Sequence, residues 1–410
     1  MTEDFSGSYL RNFKSKRMVS KKVTATVLSI SLLTVMAGAA IAPALGIIRE
    51  HFASESELLI KFIVSIPALF IILTTLCFSV ICKCLRTRTI AIVGLSLYVL
   101  SGCGAFFFDD IVTILCLRAL LGVSVGLIMP LSTGLLSFYY PPEEQAKLMG
   151  LSAAMNQMGG VVATLLAGIL ANIVWNYAFW VYGLGLIALI LVVLFLPNEK
   201  LLAETSKISI STLIKFHPSV TGMFLLMTLF FIYPTNFAIT SKLATNLSTN
   251  TVTLIMVGLD LIAFFVGLSF GFCMHIFRRS LKYFAPLFFL GGYAIMSICI
   301  TPISLIVASI LIGVGNGVGV PYLNTIASIK GGRVSATTVM PLLSASLYLG
   351  QFVSPLLISS LSELCFGSED MYSPYKIGVA IGIVFFFQAF STRNFQSLPP
   401  EDKKKTAYLD

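Results

Sequence analysis

Long apolar runs separated by short polar breaks set the pattern of this chain, and twelve of the runs are long enough to cross a bilayer, whose hydrocarbon takes about 20 helical residues. They predict helices over Val23–Ile48, Leu58–Cys82, Thr89–Phe108, Ile111–Tyr139, Ala146–Ala171 and Val174–Leu196. A second set follows at Phe216–Thr240, Val252–Phe277, Leu281–Thr301, Ile303–Ser328, Ser335–Ser362 and Pro374–Ser391. The runs lack the strict alternation of a membrane β-barrel. The predicted fold class is therefore all-α: a polytopic protein of twelve transmembrane helices.

The fourth run organises the rest. Within Ile114–Tyr140, Arg118, Gly122, Gly126 and Pro130 recur every four residues, so the first three share one slowly drifting helix face. Small residues there let a neighbouring backbone approach, and a buried arginine needs acceptors on that neighbour. The pattern repeats 191 residues later, where Leu305–Ser328 carries Gly313, Gly317 and Pro321, with Ser309 at the arginine position. Such a repeat predicts two similar halves. The divisions follow: a tail over 1–22, a six-helix bundle over 23–197, a polar central loop over 198–215, a second bundle over 216–392 and a tail over 393–410.

Composition agrees. The chain is 57% hydrophobic and only 11% charged, against about 25% charged in soluble proteins. Met1–Lys22 has no short apolar core with a cleavage site and reads as a retained tail. The net charge of +9 is no nucleic-acid footprint, because it is sorted by side. Of the 27 lysines and arginines, Arg49, Lys61, Lys242 and Lys376 lie at span ends away from the termini, Arg118 lies inside a span, and the others lie on the side of the termini. The positive-inside rule then puts both termini in the cytoplasm. The cysteines fall mostly in apolar runs, and Cys82-Lys83-Cys84 lacks the accompanying His or acid of a metal site. No phosphate-cradling Gly loop or catalytic Ser/His cluster occurs, so neither an ATP-driven pump nor an enzyme is expected.

With these features the chain resembles the major facilitator superfamily over nearly its whole length. The Arg118/Gly122/Gly126 helix is similar to that family's fourth-span motif. Tyr139–Lys147 with Gly150 resembles its loop into span five, and Trp175–Phe179 its aromatic start of span six. In the loop after span two, Arg86 and Arg88 match the basic positions of the family's cytoplasmic gate, while Cys82 stands where the family carries Asp. Ala163–Gly168 keeps the small residues of the exporters' fifth-span motif without its proline. The chain is most similar to bacterial drug:proton antiporters and related efflux permeases. The resemblance implies a proton-driven transporter without a cofactor, acting as a monomer in the inner or plasma membrane of a bacterium and working on a small molecule.

Asp260 is the acid that stands out. The other acids lie in tails, loops or span ends, whereas Asp260 sits eight residues inside its run, about 12 Å deep at 1.5 Å per residue. It is the candidate proton-coupling carboxyl; a hydrogen-bonded structural aspartate is the alternative. Arg118 is either a partner in coupling or a clamp between helices, and pairing with Asp260 across the halves is open. Asn156, Gln157, Tyr233, Asn236, Asn316, Asn324, Tyr348 and Gln351 lie midspan and are candidates to line a polar, mostly uncharged substrate site. Each needs a hydrogen-bond partner, which an interhelical contact would also supply. Two Trp are few for a sugar transporter, and one deep cation is few for an importer of organic anions. The expected function is proton-coupled export of small amphipathic molecules or drugs. An importer or facilitator of a small metabolite, and a non-transporting membrane sensor or partner-binding protein, are the alternatives.

Overall fold

A computed structural model of the protein describes residues 20–140, 142–198, 210–331, 339–367 and 370–391. The terminal tails and most of the central loop lie outside these residues. Every described element is helical. Twelve helical stretches are long and apolar enough to span a membrane: Lys21–His51, Glu57–Phe78, Thr87–Phe107, Ile111–Leu136, Leu151–Ala171, Trp175–Phe195, Phe216–Thr245, Thr249–Leu268, Ser280–Ile298, Pro302–Ala327, Met340–Phe366 and Ser373–Ser391. They are numbered here as spans one to twelve. Spans one and twelve place the described chain ends on one side, the near side; the other is the far side.

Several boundaries move for readable reasons. Span one rewinds: an α-helix over Lys21–Ala39 gives way to a 3-10 turn at Ala42–Ala44 and a short helix at Leu45–His51. Pro43 sits in that turn, where its missing N–H breaks the α ladder. The helix of span five starts at Pro142, four residues before the expected start, because proline suits a first helical turn. The expected single run Val252–Phe277 divides at Ser269, after Gly267, into Thr249–Leu268 and Phe270–Phe277. Span four starts sharply because Asp110 caps it: its carboxylate accepts from the Thr113 amide at 2.8 Å and the Thr113 hydroxyl at 2.7 Å. The Thr113 hydroxyl, more than the amide, holds the Asp110 carboxyl below the usual carboxylate range.

Spans one to six pack on one another, as do seven to twelve, and the glycines show that the two sets repeat. A methyl added at Gly122 would strike the Pro67 carbonyl oxygen of span two; one at Gly126 would lie 3.0 Å from that of Ile71. On span ten, a methyl at Gly313 would lie 2.9 Å from the Leu259 oxygen, and one at Gly317 2.6 Å from that of Ala263. Gly159 of span five meets the Leu32 oxygen of span one, as Gly350 of span eleven meets the Phe224 oxygen of span seven. The shift is 191 or 192 residues in every case. Both halves thus use one solution: small residues bring backbones together where no hydrophobic drive exists.

The halves meet towards the far side. A methyl at Gly46 of span one would lie 2.8 Å from the Ala238 oxygen of span seven, and Glu50 pairs with Lys242 a turn beyond. Span two packs on span eleven, with Phe62 and Phe352 stacked at 6.0 Å. Span five packs on span eight. The main apolar core runs unbroken through both halves, whereas Phe216, Met223, Ala327, Val339 and Leu343, at the near-side ends of spans seven, ten and eleven, form a separate core. The Glu50–Lys242 pair is partly exposed, so it contributes about 0.5–1 kcal/mol, or two- to five-fold in a two-state equilibrium. In Lys242→Met, labelling of a cysteine placed at Ala238 by a membrane-impermeant reagent is expected to rise by that factor. Exchanging the two charges should reverse the rise.

Candidate functional site

Arg118 is fully buried. Its Nε donates to the Ile63 carbonyl at 2.6 Å, its Nη1 to the Tyr182 hydroxyl and its Nη2 to the Ala37 carbonyl. The acceptors have a cause. Ile63 lies four residues before Pro67, which has no N–H to offer it. Ala37 lies in the last turn before span one rewinds, where carbonyls lack helical partners. The guanidinium therefore fills one vacancy left by Pro67 in span two and one left by the end of the α-helix in span one. The other half explains itself by contrast. Position 259, the counterpart of Pro67, is leucine, and Ser309 replaces the arginine, bonding Tyr233 at 2.7 Å.

Asp260 is half-buried on span eight. Its Oδ2 accepts the Thr164 hydroxyl of span five at 3.1 Å, so the bond joins the two halves. Arg118 does not pair with Asp260, its donors being directed to the groups above.

The midspan polar residues separate into groups. Asn156 accepts from the Thr34 hydroxyl at 2.9 Å inside the first half, and Gln157 follows it, half-buried. Asn236 spends its amide on its own helix, at 2.9 Å to the Ile232 carbonyl and 3.0 Å to the Thr235 hydroxyl. Tyr348 donates to the Met129 sulfur at 3.1 Å, across the halves. A methyl at Gly38 of span one would lie 2.8 Å from the Gln351 amide nitrogen, so span eleven reaches across there too. Asn324 is half-buried near the near-side end of span ten. Asn316 keeps a buried, unpartnered carbonyl oxygen. Of the two gate arginines, Arg88 donates to the Val193 carbonyl of span six in its own half, and Arg86 is exposed.

Three participants escaped the sequence reading. Thr164 had no signal, since hydroxyls are common in these helices. Tyr182 was legible in the repeat, as its counterpart 193 residues on is Tyr375, equally buried. Lys61, read as a span-end cation, is 4% exposed and paired with Glu57 at 2.7 Å; the four-residue spacing was the signal.

Residues 27–355 match the Major Facilitator Superfamily. Among curated proteins, the quinolone resistance protein NorA of Staphylococcus aureus (strain MRSA252) is 24% identical over 285 residues, 65% of this chain and 69% of its own. Two solved structures share the fold. The nucleoside transporter NupG has a TM-score of 0.74 at 11% identity, covering 91% of this chain and 100% of its own. A bacterial homologue of the human lysosomal transporter Spinster has a TM-score of 0.74 at 16% identity, covering 94% and 100%. Twelve spans, a glycine-pinned repeat and a match over most of the length agree: this chain is a multi-pass membrane transporter, not an enzyme, and belongs to the Major Facilitator Superfamily.

Proposed function

We propose that the protein exports small amphipathic molecules, neutral or cationic, in exchange for protons. It does so as a monomer in a bacterial plasma membrane, with its near side in the cytoplasm. The observation that carries this reading is the contrast between its two deep charges. Arg118 is sealed among carbonyls and a phenol, with no exposure to offer a ligand. Asp260 is half-buried, and its bond to Thr164 leaves the other carboxyl oxygen free to meet a proton or a cation. A site whose accessible charge is a single carboxylate disfavours anions and can bind a proton or a cationic substrate in turn. The Asn316 oxygen, buried without a partner, offers a second acceptor. The similarity to a quinolone resistance protein supports the direction and the substrate class.

In this reading the two halves rock about the substrate site, and the far-side contacts described above belong to the state that is closed on the side away from the cytoplasm. No cofactor takes part; the proton gradient drives the cycle. The test uses purified protein in proteoliposomes, a quinolone and a lipophilic cation as probes, and an imposed pH step. Wild type is expected to release protons when either probe is added. Asp260→Asn should lose this release while retaining downhill exchange of the probe. Undiminished pH-driven transport in Asp260→Asn would remove the coupling role.

A further inference from the structure

Spans five and eight meet along a ladder of contacts, and its rungs differ. Nearest the far side, the Asn172 amide donates to the side-chain Oδ1 of Asn250 at 2.5 Å. One turn deeper, Gly168 lies so close to Thr253 that an added methyl would come within 2.7 Å of its Cβ. Another turn deeper, Thr164 donates to Asp260. Residues 164, 168 and 172 share one helix face, so this face of span five bears on span eight over its far-side half.

The repeat supplies an internal comparison. The shift of 192 that relates span two to span eight puts Ala68 in the place of Asp260. The shift of 191 that relates span five to span eleven puts Pro355 in the place of Thr164. The matching rung of the span two–span eleven contact thus carries an alanine and a proline, both buried, with no polar side-chain atom. Packing alone closes the halves at that level on one seam. On the other, the same level carries a carboxyl and its donor. A helix pair that needed only to pack would not require them.

We propose that Thr164 is a positioning residue for Asp260: its hydroxyl ties the charge state of that carboxyl to the closure of the span five–span eight seam. The inference rests on Asp260 being a proton site, as read above, and adds what makes the proton site respond to conformation. While the seam is closed, the carboxylate has a donor from the opposite half. When the halves part on the far side, the donor leaves with span five and water replaces it. Proton binding and seam opening are then linked, and linkage runs both ways. The surroundings contain little else to compete. Spans five and ten bring no ionisable side chain to the level of Asp260, nor does the Ala42–Ala44 turn of span one. Tyr233 of span seven, already bonded to Ser309, is the titratable group that faces it among the described residues.

The experiment needs no substrate, so it reads the linkage even if the protein exports nothing. Asn172→Cys and Asn250→Cys are introduced together, and disulfide formation across the seam, driven by the two-electron thiol oxidant diamide, is followed against pH in liposomes. Divided at each pH by the rate of a cysteine pair placed within one half, which carries the thiols' own titration, the cross-linking rate is expected to vary with pH through one midpoint, and to lose that dependence in Asp260→Asn. In Thr164→Val the midpoint should move up by about one pH unit, because the carboxylate loses a donor that the protonated acid does not need. Thr164→Ser should restore it. The cross-link reports on folding as well, since a variant that fails to fold gives no specific product. An unmoved midpoint in Thr164→Val, or a value for Thr164→Ser that matches the valine variant, would overturn the proposal. A shift in the midpoint with no substrate-driven proton release would sustain it and remove the exporter reading alone.

Discussion

Arg118→Met is expected to destabilise the protein by about 3 kcal/mol or more, read as thermal unfolding in detergent. The methionine nearly matches the volume but offers no donor. The Ile63 and Ala37 carbonyls then stay buried without the bonds they now receive, and each unsatisfied group costs about 1–3 kcal/mol. Removing a buried cation recovers part of that loss, since the guanidinium was itself taken out of water. Arg118→Lys keeps the charge but has one compact head for three acceptors on different elements, and should fall between. The cause can be isolated. Pro67→Ala returns an N–H to the helix of span two, which the Ile63 carbonyl can accept. In the Arg118→Met background that change should recover about 1 kcal/mol, a coupling that a double-mutant cycle measures. Wild-type stability in Arg118→Met together with a selective loss of proton coupling would overturn the clamp and assign the arginine to coupling instead.

That arginine also shows how far the sequence reaches. Its spacing with Gly122 and Gly126 already places it on a packed face, and the 191-residue echo already predicts two halves. Both follow from local periodicity, which one chain displays in full. The identity of its acceptors does not, because carbonyls carry no residue name. Yet Pro67 was visible, and a proline in an apolar helix announces a carbonyl in need of a donor. Asn236 teaches the reverse. Its midspan position makes it a candidate for a substrate site, and nothing in its sequence context shows that its amide bonds the backbone of its own helix, as a short polar side chain readily does.

The Thr164–Asp260 bond marks the limit. An aspartate eight residues into an apolar run is legible as an exception. Its partner sits 96 residues away in the other half, and the register between spans five and eight is set by Gly168 against Thr253 and by the tilt of whole bundles. Nothing local distinguishes Thr164 from the other hydroxyls of these helices. The near-side gate is different again. The residues that would compare the loop after span two with its counterpart after span eight include side chains outside the described residues, so the gate role of Arg86 and Arg88 stands as an expectation from the resemblance.

The second large effect is expected from a single methyl. Gly159→Ala on span five would drive its Cβ into the Leu32 carbonyl oxygen of span one and to 2.8 Å from the carbonyl carbon. Both atoms are helix backbone and cannot turn aside as a side chain would, so spans one and five must separate. Forcing extra volume into a packed core costs about 1–3 kcal/mol when side chains can adjust; a backbone obstacle puts this variant at or above the upper end. Gly258→Ala on span eight is the matched control. It makes the same change two residues from Asp260, but an added methyl there meets nothing within 4 Å, and a helical glycine costs about 0.5–1 kcal/mol relative to alanine. Unfolding temperatures in one detergent should therefore move in opposite directions, down by several degrees for Gly159→Ala and level or slightly up for Gly258→Ala. The contrast separates close helix approach from any general intolerance of change in a membrane span. If Gly159→Ala unfolded with wild type, spans one and five would have to lie farther apart than described here. The close packing of glycine on backbone carbonyls would then be lost as the basis for pairing the two halves, because Gly350 on the Phe224 oxygen is the same contact in the second half.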